Sequence, residues 1–239
     1  MKQLKHHLSP ANRRRLAHKL RAARRFDRDK SGTGKLWRRN RSLTGYSEAM
    51  RTDLAGKISN IIKKRGSCRM LDVGCGDCHA LAEAKHKFEN KVRTHGLRLY
   101  GRREHRHFSD ELVQSFTDRI HVGSIENYVF KEKYDMIVSF AGIHYTVNAP
   151  LAIQKVANAL SVGGEAHLQL KKARIPKELV ERLENQGFAV KISSRRGLTT
   201  VLHMSRLTRR RADLSNIITK EAKKKINPRI NVKERLDER

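Results

Sequence analysis

The sequence predicts an α/β domain. It is a mostly parallel seven-stranded sheet with helices on both faces and an antiparallel terminal hairpin, plus basic N- and C-terminal extensions. Three observations predict it. Short apolar runs of strand length alternate with segments whose apolar residues recur at helical spacing, the pattern of strand–helix–strand crossovers. The links between them are short, as such crossovers need. The last two strand-like runs follow each other across the turn Arg195-Arg196-Gly197, which makes them an antiparallel hairpin at the sheet edge.

Each element has its own signal. Ser9-Pro10 reads as an N-cap with proline opening a helix, and Leu16, Leu20 and Ala23 share its face. Residues 27–45, with Gly32, Gly34 and Gly45, read as a linker. From Ser47 the apolar residues Met50, Leu54, Ile58, Ile61 and Ile62 mark a helix that Gly66 stops. Cys68–Val73 is the first strand and His79–Lys91 the helix after it. A second strand is expected over Leu97–Gly101, a helix over Ser109–Phe116 and a third strand over Arg119–Gly123. Tyr134–Phe140, with Met-Ile-Val at its centre, is the clearest buried strand. The helix Ala149–Leu160 runs into Gly163-Gly164, followed by a strand at Glu165–Leu170. A helix at Pro176–Gln186 and strands at Gly187–Ser193 and Thr199–Leu207 complete the domain. The expected organisation is therefore an arginine-rich arm and linker over residues 1–45, a folded domain over 46–207 and a basic tail over 208–239.

The 239 residues carry 53 Lys/Arg against 24 Asp/Glu, a formal charge of +29. Residues 1–41 hold +13 of it and residues 208–239 hold +6, so the ends are more densely basic than the middle. Such a distribution is the footprint of a nucleic-acid partner, ahead of a membrane surface or another polyanion. The expected contacts are Arg13, Arg14, Arg15, Arg24, Arg25, Arg38 and Arg39 on phosphates, with Trp37 and Tyr46 stacking on bases. RNA is expected over DNA, because arginine-rich segments that fold on binding are common RNA readers. The same charges also read as a solvated face or a nuclear address.

Cys68, Cys75 and Cys78 lie within eleven residues, an odd and clustered set that does not make a disulfide framework and points to a reducing compartment. An intracellular location is expected, the cytoplasm first, with nucleolus and mitochondrion open. No apolar run reaches the roughly 18 residues of a membrane span.

The chemistry concentrates in Met70-Leu-Asp-Val-Gly-Cys-Gly-Asp-Cys78. A buried strand ends at an acid and enters a glycine turn, where Gly74 and Gly76 have no Cβ to hold a ligand off the backbone. The stretch resembles motif I of the class I S-adenosylmethionine-dependent methyltransferases. Further landmarks follow in order: Gly123-Ser-Ile-Glu126, Tyr134-Asp-Met-Ile-Val-Ser-Phe140 and Leu160-Ser-Val-Gly-Gly164. The resemblance implies S-adenosylmethionine as cofactor, with Asp72, Gly74, Gly76 and Asp77 at its amino-acid end. It implies an acid after the second strand for the ribose hydroxyls, here Glu104. It implies Ser124 and Ile125 at the adenine, and Ser139 and Phe140 at the end of the fourth strand. Cys78 stands where the usual third glycine would be. A nicotinamide fingerprint is disfavoured because position 79 is histidine.

Methyl transfer displaces a good leaving group, so orientation supplies much of the rate and a base is needed only for a nucleophile of high pKa. The loop after the fourth strand, Ser139-Phe-Ala-Gly-Ile-His-Tyr145, is similar to that of cap-guanine methyltransferases. It offers His144 as a base and Tyr145 as a stacking group; the alternative is that both pack on the next helix. No metal is expected. Zinc at the cysteines would compete with the glycine turn, haem attachment at Cys75-Gly-Asp-Cys-His79 would need export, and the calcium-like stretch at Asp27 has Arg38 where its glutamate should be. The reading is a methyltransferase acting on RNA, ribosomal or transfer RNA first. The alternatives are a non-catalytic RNA-binding or ribosome-assembly factor on the same fold, and a methylase of basic proteins.

Overall fold

The computed structural model describes residues 42–98, 115–143, 146–171, 175–195 and 199–207, together with Arg14. Two helices open the domain, α1 (Leu43–Met50) and α2 (Leu54–Arg65). The single helix expected from Ser47 is thus two, and the first begins inside the expected linker. Arg51 breaks it in the left-handed region at φ 52°, and Asp53 caps α2 by accepting from the Gly56 amide. Gly66, at φ 79°, closes α2 as expected.

The strands are β1 (Cys68–Val73), β2 (Val92–Arg98), β3 (Arg119–Val122), β4 (Tyr134–Phe140), β5 (Leu160–Lys171), β6 (Phe188–Arg195) and β7 (Thr199–Arg206). The remaining helices are α3 (His79–Phe88), α4 (Ala149–Ala159) and α5 (Lys177–Asn185). The seven strands form one sheet in the order β3-β2-β1-β4-β5-β7-β6. β1 to β5 are parallel, while β7 is antiparallel to both β5 and β6, as the hairpin reading requires.

The second strand is a correction. It begins at Val92, ahead of the expected Leu97, and is described as far as Arg98; residues 99–101 lie outside the described residues. Its sequence, Val-Arg-Thr-His-Gly-Leu-Arg, does not look apolar, yet Thr94 and His95 are buried. Asp118 accepts from the Thr94 amide and hydroxyl, and His95 Nδ1 lies 3.0 Å from the Tyr134 hydroxyl. Buried polar groups are tolerated when they are bonded in this way, and here the bonds hide a strand from a reading based on hydropathy. The helix expected over Ser109–Phe116 lies almost wholly outside the described residues.

Two apolar layers hold the sheet. One gathers Leu43, Met50, Leu54 and Ile58 of α1 and α2 and Leu81 of α3 against Met70 and Met136. The other gathers Ile153 and Val156 of α4 and Leu179 and Leu183 of α5 against Leu71, Ile137, Leu168 and Leu202. Helices on both faces leave the carboxyl ends of the parallel strands as the free edge of the sheet, and the strand order reverses between β1 and β4. In open α/β sheets that switch point is where ligands bind.

Candidate functional site

The turn after β1 sits at this switch point. Gly74 has φ 84°, Gly76 φ 52° and Cys78 φ 66°, so the chain doubles back through left-handed conformations before α3 begins. The Gly74 and Cys75 amides both donate to Leu97 O of β2, at 2.7 and 3.3 Å. The loop after β4 closes on the turn from the other side. A Cβ on Gly74 would stand 2.6 Å from Gly142 Cα, and one on Gly142 would stand 2.3 Å from Val73 O. The Ser139 hydroxyl donates to Val73 O at 2.7 Å and locks the two strand ends together. Gly142 was missed by the sequence reading, although an Ala-Gly pair after a buried strand is the available signal of such a close approach.

Asp72 lies at the end of β1, 0% exposed. Tyr46 donates its hydroxyl to Asp72 Oδ2 at 2.9 Å, while Oδ1 is buried with no hydrogen-bond partner. Burial pushes the carboxyl up to about 7, against the opposing bond from Tyr46. The expected RNA-stacking role of Tyr46 is corrected: the ring is 4% exposed and its centroid lies 5.4 Å from that of Phe140. Glu83 of α3 holds it in place by accepting from the Leu43 amide and the Thr44 hydroxyl at the start of α1. The 40-residue separation of these partners left no local signal in the sequence.

Asp77 is buried within the turn. Arg98, the last described residue of β2, is 7% exposed, and its Nη1 donates to Gly76 O of the same turn at 3.5 Å. The residues that follow Arg98, with the Glu104 expected at the ribose among them, lie outside the described residues. The Ser124 hydroxyl is turned into its own loop, donating to Glu126 Oε2 at 2.9 Å, and Ile125 is packed in the core at 4% exposure. Arg14 is exposed. Glu104, His144, Tyr145, Arg13, Arg15, Arg24, Arg25, Trp37, Arg38 and Arg39 lie outside the described residues.

The observations thus bring together Asp72, Gly74, Gly76, Asp77, Ser139 and Phe140, and add Tyr46, Arg98 and Gly142. The unpartnered Oδ1 of Asp72 and the two bare glycines fit the amino-acid end of S-adenosylmethionine, an ammonium beside a chain that must lie close to the backbone.

No family model matches the sequence, and no curated protein matches it. Solved structures resemble it in fold. One is a protein from Listeria monocytogenes assigned to the class I S-adenosylmethionine-dependent methyltransferases. It is 11% identical over 81% of this chain and 81% of its own, with a TM-score of 0.49. Another is CalS10 from Micromonospora echinaspora, an amino pentose methyltransferase solved with S-adenosylmethionine. It is 13% identical over 70% of this chain and 98% of its own, with a TM-score of 0.45. A third is an S-adenosylmethionine-dependent methyltransferase from Clostridium acetobutylicum, 12% identical over 68% of this chain and 96% of its own, with a TM-score of 0.47. At these identities and scores the likenesses carry no weight for the chain's activity.

Proposed function

We propose that this chain is an S-adenosylmethionine-dependent methyltransferase that acts on RNA inside the cell. The observation that carries the cofactor is the carboxylate of Asp72. It is fully buried and half satisfied, at the mouth of a glycine turn on the switch point of the sheet. A buried acceptor without a donor is costly, and an ammonium supplies the donor and the countercharge together. Gly74 and Gly76 let the ligand's backbone approach, Ser139 keeps the floor of the site fixed, and Phe140 with Tyr46 walls it. When bound, the cofactor supplies a sulfonium-activated methyl group. His144 and Tyr145, in the loop that leaves β4, are the groups we assign to the acceptor nucleotide.

RNA is supported by the +29 charge and its concentration in the two ends of the chain. Binding through Lys and Arg releases counterions, so affinity falls steeply as salt rises. The test is transfer of label from methyl-labelled S-adenosylmethionine to total RNA from cells lacking the protein. Label in one RNA species, lost in Asp72→Ala, supports the reading; tight RNA binding without label turns it over to the second reading. That second reading is a non-catalytic RNA-binding or assembly factor. It is favoured by the stretch Gly101-Arg-Arg-Glu104, in which Arg103 stands where the resemblance places an acid.

A further inference from the structure

The turn that cradles the proposed cofactor also holds two thiols. Cys75 and Cys78 are both free, and their Sγ atoms lie 3.4 Å apart in a hydrogen bond. The Cys78 amide donates to Cys75 O at 2.8 Å, so the four residues Cys75-Gly-Asp-Cys78 form a closed turn. A turn of this kind holds its end Cα atoms within about 7 Å of each other. Disulfides bridge Cα separations of about 4.4–6.8 Å, so a bond can form by closing the sulfur gap with little backbone travel. Cys68 is also buried, at the far end of β1, and shares no hydrogen bond with either thiol.

We propose that Cys75 and Cys78 are a reversible redox pair whose disulfide, formed by a peroxide and undone by a dithiol, alters the ligand cradle. Cys75 is 6% exposed and Cys78 0%, which makes Cys75 the attacking sulfur. Its sulfur takes one peroxide oxygen. The S–O bond forms, the O–O bond breaks, and the leaving hydroxide departs as water with the Cys75 proton. The Cys78 sulfur then attacks Cys75. The S–S bond forms, the S–O bond breaks, and hydroxide leaves with the Cys78 proton as a second water. Two thiols are oxidised and one peroxide is reduced. The hydrogen bond shared with Cys78 and burial push the Cys75 thiol up, so the reaction is slow at neutral pH and faster in alkali.

The consequence for the site follows from packing. A Cβ on Gly96 would stand 2.6 Å from Cys75 Sγ, so that sulfur is already seated against β2. Drawing the sulfurs from 3.4 Å to the roughly 2.05 Å of a disulfide must be taken up by the turn between them, which is Gly76 and Asp77. The coupling to ligand rests on the cofactor reading above; the bond itself does not.

The full chain is treated with hydrogen peroxide, denatured, alkylated and weighed, with and without a dithiol. The expected result is loss of two hydrogens, alkylation at Cys68 alone and full reversal by dithiol. Cys75→Ser and Cys78→Ser are each expected to keep both hydrogens. Three alkylated thiols after treatment, or a sulfinic acid at Cys75 with no bridge, overturns the proposal. Calorimetry with S-adenosylhomocysteine is then run on reduced and oxidised protein, and oxidation is expected to weaken binding about tenfold. Equal affinity of the two forms overturns the coupling. No binding by the reduced form overturns the cofactor reading and leaves the thiol count to decide the bridge.

Discussion

Two buried aspartates sit on adjacent strands at opposite ends of the sheet, and they are treated differently. Asp135, at the start of β4, has both carboxylate oxygens hydrogen-bonded. Arg65 and Ser161 donate to Oδ1 at 2.5 and 2.7 Å, and the Arg69 amide donates to Oδ2 at 2.9 Å. It ties α2, β1, β4 and β5 together at the amino-end edge. Asp72, at the carboxyl-end edge, has one neutral donor, no cation among its bonded partners and an oxygen left bare. A fold has no use for a half-satisfied buried carboxylate, whereas a binding site does. Satisfaction, more than burial, separates the structural acid from the functional one.

The largest expected effect breaks that comparison on the functional side. Asp72→Ala should weaken S-adenosylhomocysteine binding by about a hundredfold, the worth of roughly 3 kcal/mol for a charged hydrogen bond, measured by calorimetry at pH 8. Asp135→Ala should leave affinity in the surviving folded protein within about threefold.

Stability should respond the opposite way. The folded-state pKa of Asp72 is about 7, above the 3.8 of a free carboxyl. The folded protein therefore holds this proton while the unfolded chain has lost it. Stability is greatest below the unfolded value, falls as pH rises between the two, and is flat above about 7. Asp72→Asn removes the burial penalty and still accepts from Tyr46. It should stabilise the free protein at pH 8 by about 1.4 kcal/mol for each unit of that upward shift. Asp135→Asn should destabilise it by about 2 kcal/mol. Urea midpoints of the two variants give the answer, and equal signs would erase the distinction.

The contrast also marks how far the sequence could be read. The sheet, its hairpin and the glycine turn were legible because strand burial and left-handed turns constrain residue type locally. Asp72 falls near the end of β1, and Gly74 and Gly76 fall in the turn after it. Tyr46 was misread because its partner is 26 residues away and nothing near it signals a buried hydroxyl. β2 was misplaced because Asp118 and Tyr134, both remote in sequence, satisfy its polar residues.

A mid-sized effect should come from the loop that closes the site. Gly142→Ala places a Cβ 2.3 Å from Val73 O and 2.9 Å from Gly74 Cα, contacts to backbone that no side-chain rotation relieves. The β4 loop must lift off the turn, at a cost of about 1–3 kcal/mol. Ligand affinity should fall about tenfold or more, while Gly187→Ala, where nothing lies within 4 Å, should leave affinity unchanged despite its own φ of 84°.

The smallest effect sharpens the comparison most. Tyr46→Phe keeps the ring against Phe140 and deletes the one donor to Asp72. That bond holds the Asp72 pKa down against burial, so its loss should carry the pKa above about 7. Binding of a ligand ammonium needs the ionised carboxylate. In the unaltered protein, affinity should therefore rise through a midpoint near 7 and level off above it. In Tyr46→Phe the same rise should appear at higher pH, with a stability loss of about 1 kcal/mol for the missing bond. Affinity of S-adenosylhomocysteine measured across pH in both proteins reads the shift. A profile that does not move would mean that Asp72 is not the acid the ligand senses.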